Sequence, residues 1–271
     1  MTSLITEVPP IADEEDKVLV EDVPTQTFEL MSSAFPFLAS KKSNELLTKW
    51  NLLPDLQVPK FKTLPRLTNH TNLTDVVRGL VSDPLACQSL GITPLSKEDA
   101  ATTKIEELSC SILNMSFFDA VNYEDEVVTS SDYIRACMDE TFDGIVVQDK
   151  LREMLVNPDS ENSCIFKDSD KKEFIHHLLK LVCVGGALCQ AEEKFHEWKE
   201  MTKAMYKDFL SVQKNATSGK VEITSRVFQV DSWGNSELFK KKNMHNKFYV
   251  VFDVAKGEQR AEEIGKGWVV F

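Results

Sequence analysis

Apolar residues in the middle of the chain recur every three or four positions, in two stripes that flank the dipeptide Gly185-Gly186. The stripes consist of Phe174, Ile175, Leu178, Leu179 and Val182, and then of Phe195, Trp198, Met201, Met205, Phe209 and Val212. This period places one apolar face along a helix. We therefore predict two core-facing helices, or one long helix loosened at the glycine pair. Asp170, followed three residues later by Glu173, is predicted to cap the first stripe's helix.

Other segments show shorter patterns. Short helices are predicted over residues 43–52, 131–138 and 148–156. Strands are predicted over residues 25–31 and 108–118, the second with apolar side chains on both faces.

Prolines and glycines divide the segments between these elements. The three prolines within residues 54–75 predict an irregular connection, and Pro84, Gly91 and Pro94 interrupt the next stretch in the same way.

The last quarter of the chain changes to a strand pattern. Residues 215–219 are turn-like, residues 221–230 alternate at first between apolar and polar positions, and apolar runs follow at 247–254 and 267–271. We therefore predict an α+β fold in which central helices pack against a mixed or antiparallel sheet with a C-terminal β-meander.

The two ends of the chain differ in composition. Residues 1–24 combine an acidic run with three prolines and a short apolar patch, and they are predicted to form a disordered tail. Residues 25–271 are predicted to form a single α+β globular domain.

The formal net charge of −12 bears on possible partners. Nucleic-acid binding relies on basic side chains that neutralise phosphates, so no nucleic-acid partner is expected. No apolar run is long enough to span a bilayer, so no membrane contact is expected either. The six cysteines are expected to be free thiols rather than disulfides.

Candidate chemistry in the sequence is sparse. Gly185-Gly186 lacks both the dinucleotide-binding and the phosphate-loop pattern. His176, His177, Cys183, Cys189 and His196 are metal-ligand types, but their spacing does not match a zinc site. No catalytic motif is recognisable, so we expect no enzyme activity and no metal or cofactor.

Candidate partner contacts lie near the C-terminus. Trp233 beside Gly234 is an aromatic residue in a loop-like segment, and Lys240, Lys241 and Lys242 form a local basic patch. Core packing remains the alternative reading for the tryptophan.

Several motifs resemble the cilia- and flagella-associated protein 300 family. They are residues 113–118 (Leu-Asn-Met-Ser-Phe-Phe), Asp149-x-Leu151-Arg152, residues 185–190 (Gly-Gly-Ala-Leu-Cys-Gln) with Glu192, and residues 223–230. The motifs follow the family's order from Leu113 to Val230. Residues 1–24 and the stretch after Asp231 depart from the pattern, so Trp233 and the lysine patch inherit no family role.

The resemblance implies a non-enzymatic protein of cytoplasm and cilium that is needed for inner and outer dynein arms and thus for motility. Its partners would be dynein-arm assembly or ciliary transport proteins. Two alternatives stay open: a structural axonemal component bound to doublet microtubules, and an enzyme with an unrecognised site.

Overall fold

The fold was taken from a computed structural model of the chain. The structure describes residues 26–32, 35–68, 70–142, 144–186, 189–230 and 246–253, together with the backbone of residues 266–270. The predicted tail, residues 1–24, lies outside the described residues. The single domain over residues 25–271 stays a prediction.

The described elements include both strands and helices. The strands are β1 (Thr27–Met31), β2 (Lys60–Leu64), β3 (Ile105–Leu108), β4 (Ala136–Phe142), β5 (Ile145–Asp149), β6 (Val212–Lys214), β7 (Val221–Ile223), β8 (Ser225–Val230), β9 (Phe248–Asp253) and β10 (Lys266–Val270). The helices are α1 (Pro36–Ala39), α2 (Lys41–Lys49), α3 (Leu73–Ser82), α4 (Pro84–Leu90), α5 (Lys97–Thr102), α6 (Lys150–Val156), α7 (Asp168–Lys171), α8 (Phe174–Val184) and α9 (His196–Phe209).

A six-stranded antiparallel sheet, in the order β1-β2-β10-β9-β8-β3, is the largest sheet that the structure describes. Its strands β8, β9 and β10 are neighbours in sequence and in space, so the predicted C-terminal meander is confirmed. Two hairpins, β4–β5 and β6–β7, form separate two-stranded sheets. The α+β class is confirmed.

The sheet separates two apolar cores. Successive side chains of a strand point to opposite faces. In β9, Tyr249 and Val251 therefore join one core, while Phe248, Val250 and Phe252 join the other. Helices α2, α6, α8 and α9 enclose the first core, and α3, α4 and α5 enclose the second. Helices cover both faces of the sheet, which explains why nearly every residue of β9 is buried.

The helices on the second core were not predicted. Pro84 and Gly91, interpreted from the sequence as interruptions, instead begin and end α4: Pro84 occupies its first turn, and Gly91 closes it with a φ of 68°. The irregular connection predicted over residues 54–75 was also wrong, because β2 lies within it. Its prolines, Pro59 and Pro65, flank the strand without interrupting its ladder.

Two further predictions were wrong. The strand expected over residues 108–118 ends at Leu108, and residues 115–125 form 3₁₀ turns that begin where Asn114 accepts a hydrogen bond from the amide of Ser116 (3.0 Å). The helix expected over residues 131–138 was wrong: Tyr133 and Ile134 form isolated β-bridges and β4 begins at Ala136, because long-range pairing outweighs local pattern.

The predicted stripes of α8 and α9 are buried as expected from Phe174 to Phe209, and the chain makes two helices, not one. Val212 is an exception, since it is 57% exposed in β6. The predicted cap was wrong. Asp170 of α7 accepts a hydrogen bond from the amide of Lys167 (3.1 Å). The carboxylate of Glu173 accepts from the amide of Ser111 (2.9 Å) and from the hydroxyl of Ser111 (2.6 Å).

Candidate functional site

Helix α8 has one face in the core and another at the surface. One is the predicted apolar stripe, buried in the first core. His177, Lys180, Leu181 and Val184 lie three or four residues apart on another face. This second face lines a surface cleft, which we call the lysine cleft.

The lysine cleft has a volume of about 540 Å³, which falls in the range of ordinary ligand pockets. The C-terminal end of α6, with Met154 and Leu155, forms one wall, and Gln229 and Tyr249 of the sheet form another with Lys247, which lies just before β9. Lining groups therefore come from segments far apart in the sequence.

Among the described residues, the charged side chains that line the cleft are all basic. Lys171, Lys180 and Lys247 line it together with His176 and His177, and no aspartate or glutamate is among the described residues that do so. The carboxylate of Asp168 reaches Lys171 at 4.0 Å from outside, but its side chain is 99% exposed to solvent. The cleft is thus a basic site in a chain whose net charge is −12.

The surroundings of His176 in the cleft lower the pKa of its ring. Its ring packs edge-on against Phe166 (centroids 5.0 Å apart) and lies beside His177, whose Nδ1 is 3.3 Å from the hydroxyl of Tyr249. Burial, helped by the positive charges of His177, Lys180 and Lys171, lowers the pKa of His176 to about 3. The ring is therefore neutral at neutral pH, and the lysines carry the charge of the cleft.

The glycine pair at the end of α8 makes a close backbone approach. The amide of Gly186 donates to the carbonyl of Trp50 at 2.8 Å, just past the end of α2. A Cβ on Gly186 would overlap the carbonyl oxygen of Asn51. Gly185, which also lines the cleft, has a φ of 66° and donates its amide to Leu181. Both glycine amides are thus engaged within the protein.

Glu192 reinforces this approach. Its carboxylate accepts from Nε1 of Trp50 and from Nζ of Lys49, both at 2.7 Å, and its side chain is only 9% exposed. Gly185, Gly186 and Glu192, which belong to one of the motifs that resemble the family, therefore tie the end of α8 to the end of α2. Through α8 they position the rim of the lysine cleft.

A buried ion pair lies at the start of α6. Asp149 caps the helix by accepting from the amide of Arg152 (2.8 Å), and its second oxygen binds Nε of Arg152 (2.5 Å). Both side chains are under a tenth exposed. Nη2 of Arg152 has no hydrogen-bond partner among the described residues.

Every cysteine whose pKa is shifted has a raised pKa, so none of these thiols is activated. Burial raises the pKa of Cys189 to about 11 and that of Cys183 well above its ordinary value. Protonated thiols of this kind are poor nucleophiles. All six cysteines are free, as predicted.

The sequence-predicted contact residues Trp233, Lys240, Lys241 and Lys242 lie outside the described residues. His176 and His177 line the cleft, whereas Cys183 is buried in the core and His196 begins α9. Within the described ranges, no three His, Cys, Asp or Glu side chains could together hold a metal ion. The expected absence of a metal or cofactor stays a prediction. None of the described helices is long and apolar enough to cross a bilayer.

Sequence reasoning missed the lysine cleft. A signal was present: Lys180, Leu181 and Val184 recur at helical spacing with His177, beside the apolar stripe. That pattern indicates a second face on α8, but it does not indicate which other elements of the fold lie opposite that face.

Comparisons with known proteins support the resemblance. The profile of the family described as cilia- and flagella-associated protein 300 matches residues 25–259. That range extends past Val230, where the motifs ended. A cilia- and flagella-associated protein 300 of Paramecium tetraurelia is 27% identical over 230 residues, covering 84% of this chain and 89% of the relative. One from Chlamydomonas reinhardtii is 30% identical over 223 residues, covering 76% and 84%. No solved structure matches the chain.

Proposed function

Because this chain belongs to the cilia- and flagella-associated protein 300 family, we propose that it supports the assembly or delivery of inner and outer axonemal dynein arms, and thereby ciliary or flagellar motility. In this role it acts in cytoplasm and cilium as a non-enzymatic adaptor. Its partners are proteins of the dynein-arm assembly or ciliary transport machinery.

The family match over residues 25–259 is the observation that carries the proposal. Three features of the chain support an adaptor. The sequence has no catalytic motif, and burial suppresses the nucleophilicity of Cys183 and Cys189. The lysine cleft offers a surface for a protein partner of opposite charge.

Electron microscopy of axonemes from cells that lack the protein tests the proposal, together with dynein heavy-chain levels in cytoplasm and cilium. We expect missing inner and outer arms, with heavy chains retained or degraded in the cytoplasm. Intact arms with normal beating would overturn the proposal.

Salt extraction separates the adaptor from a structural axonemal component. We expect most of the protein in the detergent-soluble pool, because a net charge of −12 opposes binding to the acidic surface of microtubules. Retention on demembranated axonemes in moderate salt would instead favour the structural role.

A further inference from the structure

We propose that the lysine cleft binds an acidic peptide segment of a protein partner, with an apolar side chain of that segment seated against α6 and α8. The inference rests on the proposed function in so far as it takes the ligand to be a protein. To the proposed function, the inference adds where the partner binds and the chemistry of the peptide segment that is bound.

Charge complementarity points to an acidic ligand. Lys171 and Lys180 lie on the consecutive helices α7 and α8, Lys247 lies just before β9, and all three line one cleft. Electrostatic complementarity of this kind steers encounter and selects partners. Because the rest of the chain is strongly acidic, an acidic segment is repelled from most of the surface and attracted here.

The arrangement of the charges favours an extended ligand. Lys180 lies six residues into α8, about 9 Å along the axis from its start, and Lys171 precedes that start. Positive charge is therefore spread along the cleft and does not converge on one point. A row of carboxylates on an extended peptide matches this spread better than a single compact anion.

A phosphate group would need a different site. Phosphate sites in proteins commonly present a nest of free backbone amides. At the glycine pair, the amide of Gly185 donates to Leu181 (3.0 Å) and that of Gly186 to Trp50 (2.8 Å). Neither amide is available to a bound phosphate.

Apolar groups in the lining give the peptide an anchor. Met154 and Leu155 of α6 face the cleft with Leu181 and Val184 of α8, and Phe166 adds an aromatic surface. An apolar side chain that enters such a pocket contributes most of the affinity, while the surrounding charges set specificity.

Fluorescence anisotropy with the purified full chain tests the inference. The probe is a labelled peptide that alternates glutamate and leucine pairs, and its counterpart carries glutamine in place of glutamate. We expect binding of the glutamate peptide only, weakened by added salt. ATP, inorganic phosphate and single-stranded DNA are the competitors, and displacement of the peptide by any of them at lower concentrations than unlabelled peptide would overturn the proposal.

Charge reversal locates the site. Lys180→Glu and Lys247→Glu are each expected to weaken binding at least about tenfold. Lys203→Glu on α9 makes the same charge change outside the cleft and is expected to leave affinity within about twofold of the wild type. Circular dichroism melts confirm that all three variants fold. Equal weakening by Lys203→Glu, or none by the cleft variants, would contradict the assignment.

The chain's own acidic run is the competing occupant. Replacement of Asp13, Glu14, Glu15 and Asp16 by their amides is expected to leave peptide affinity unchanged. A marked gain in affinity would assign the cleft to that segment and overturn binding of a partner. Loss of dynein arms in cells without the protein, combined with no peptide binding, would reject this inference while the proposed function stands.

Discussion

On the second core, each of the helices α3, α4 and α5 is capped by a residue of its own segment: Asn72, Asp83 and Ser96 accept from amides two or three residues ahead. On the first core, the ends of α2 and α8 are joined by the amide of Gly186, which donates to the carbonyl of Trp50, and Glu192 binds the Trp50 side chain across 142 positions of sequence. The second core is an apolar layer with local caps. The first contains a buried ion pair, a backbone contact that only glycine permits, and the lysine cleft.

This contrast has a physical basis. Apolar burial is non-directional, so a layer such as α3–α5 tolerates small shifts in its helices. Buried charges and close backbone contacts require fixed geometry, and one missing group leaves its partner unsatisfied. We therefore expect the same substitution to have different effects on the two cores.

The largest difference is expected between two aspartate-to-asparagine substitutions. Asp149→Asn keeps a capping side chain on α6 but leaves Arg152 as a buried, uncompensated cation, and we expect it to lower the free energy of unfolding by about 4 kcal/mol. Asp83→Asn caps α4 with an equally good residue and is expected to cost under about 0.5 kcal/mol. Urea unfolding followed by tryptophan fluorescence measures both. Equal losses would show that the charge of Asp149 has no special role.

Glycine-to-alanine substitutions sharpen the comparison. Gly186→Ala drives a methyl group into the carbonyl of Asn51 and separates α8 from α2, so we expect a loss of about 3 kcal/mol. Gly79→Ala on α3 meets only Phe28, at 3.8 Å, and is expected to stabilise the protein by about 0.5–1 kcal/mol. Thermal melts of the two variants should shift in opposite directions. An unchanged melt for Gly186→Ala would remove the close approach as a source of stability.

The two cores also differ in how far the sequence predicted them. The prediction of α8 and α9 from their apolar stripes was correct because the helical period is a local property of the sequence, and the burial of the stripes stabilises the same helices. α4 was missed although its signals were present. Proline and glycine occur both in loops and at helix ends, so the positions of Pro84 and Gly91 in the sequence do not decide between the two structures.

The candidate site was less predictable, for a different reason. That Lys180 and Lys247 share a cleft depends on how α8 lies on the sheet, which no local pattern contains. The helix predicted over residues 131–138 was wrong because its last residues, from Ala136, belong to β4, whose pairing with β5 decides their structure. The contact partner of the glycine pair, the end of α2, lies more than a hundred residues away in the sequence.

Glutamate-to-glutamine substitutions compare a buried with an exposed carboxylate. Glu192→Gln removes the charged acceptor of Trp50 and Lys49, where the carboxylate is almost fully buried, and we expect a loss of about 2 kcal/mol. Glu107→Gln removes the carboxylate paired with Arg226, but both side chains are nearly half exposed. It is expected to cost under about 1 kcal/mol because water screens the pair. A smaller loss for Glu192→Gln than for Glu107→Gln in urea unfolding would contradict this ranking.

The smallest effect concerns pH and the wall of the lysine cleft. His176 has a pKa of about 3 in the folded protein, lowered by burial and by His177, Lys180 and Lys171, against an ordinary value of 6.5. Between these values the unfolded chain binds the proton more readily, so stability falls as the pH drops below 6.5 and does not change through this group above it. One pH unit below 6.5, the loss is about 1.4 kcal/mol. His176→Gln cannot take up the proton, so the variant should lose less stability than the wild type between pH 7.5 and pH 5.5. Parallel urea unfolding at the two pH values measures the difference, and an equal loss in both proteins would show that the pKa of His176 is not lowered in the folded state.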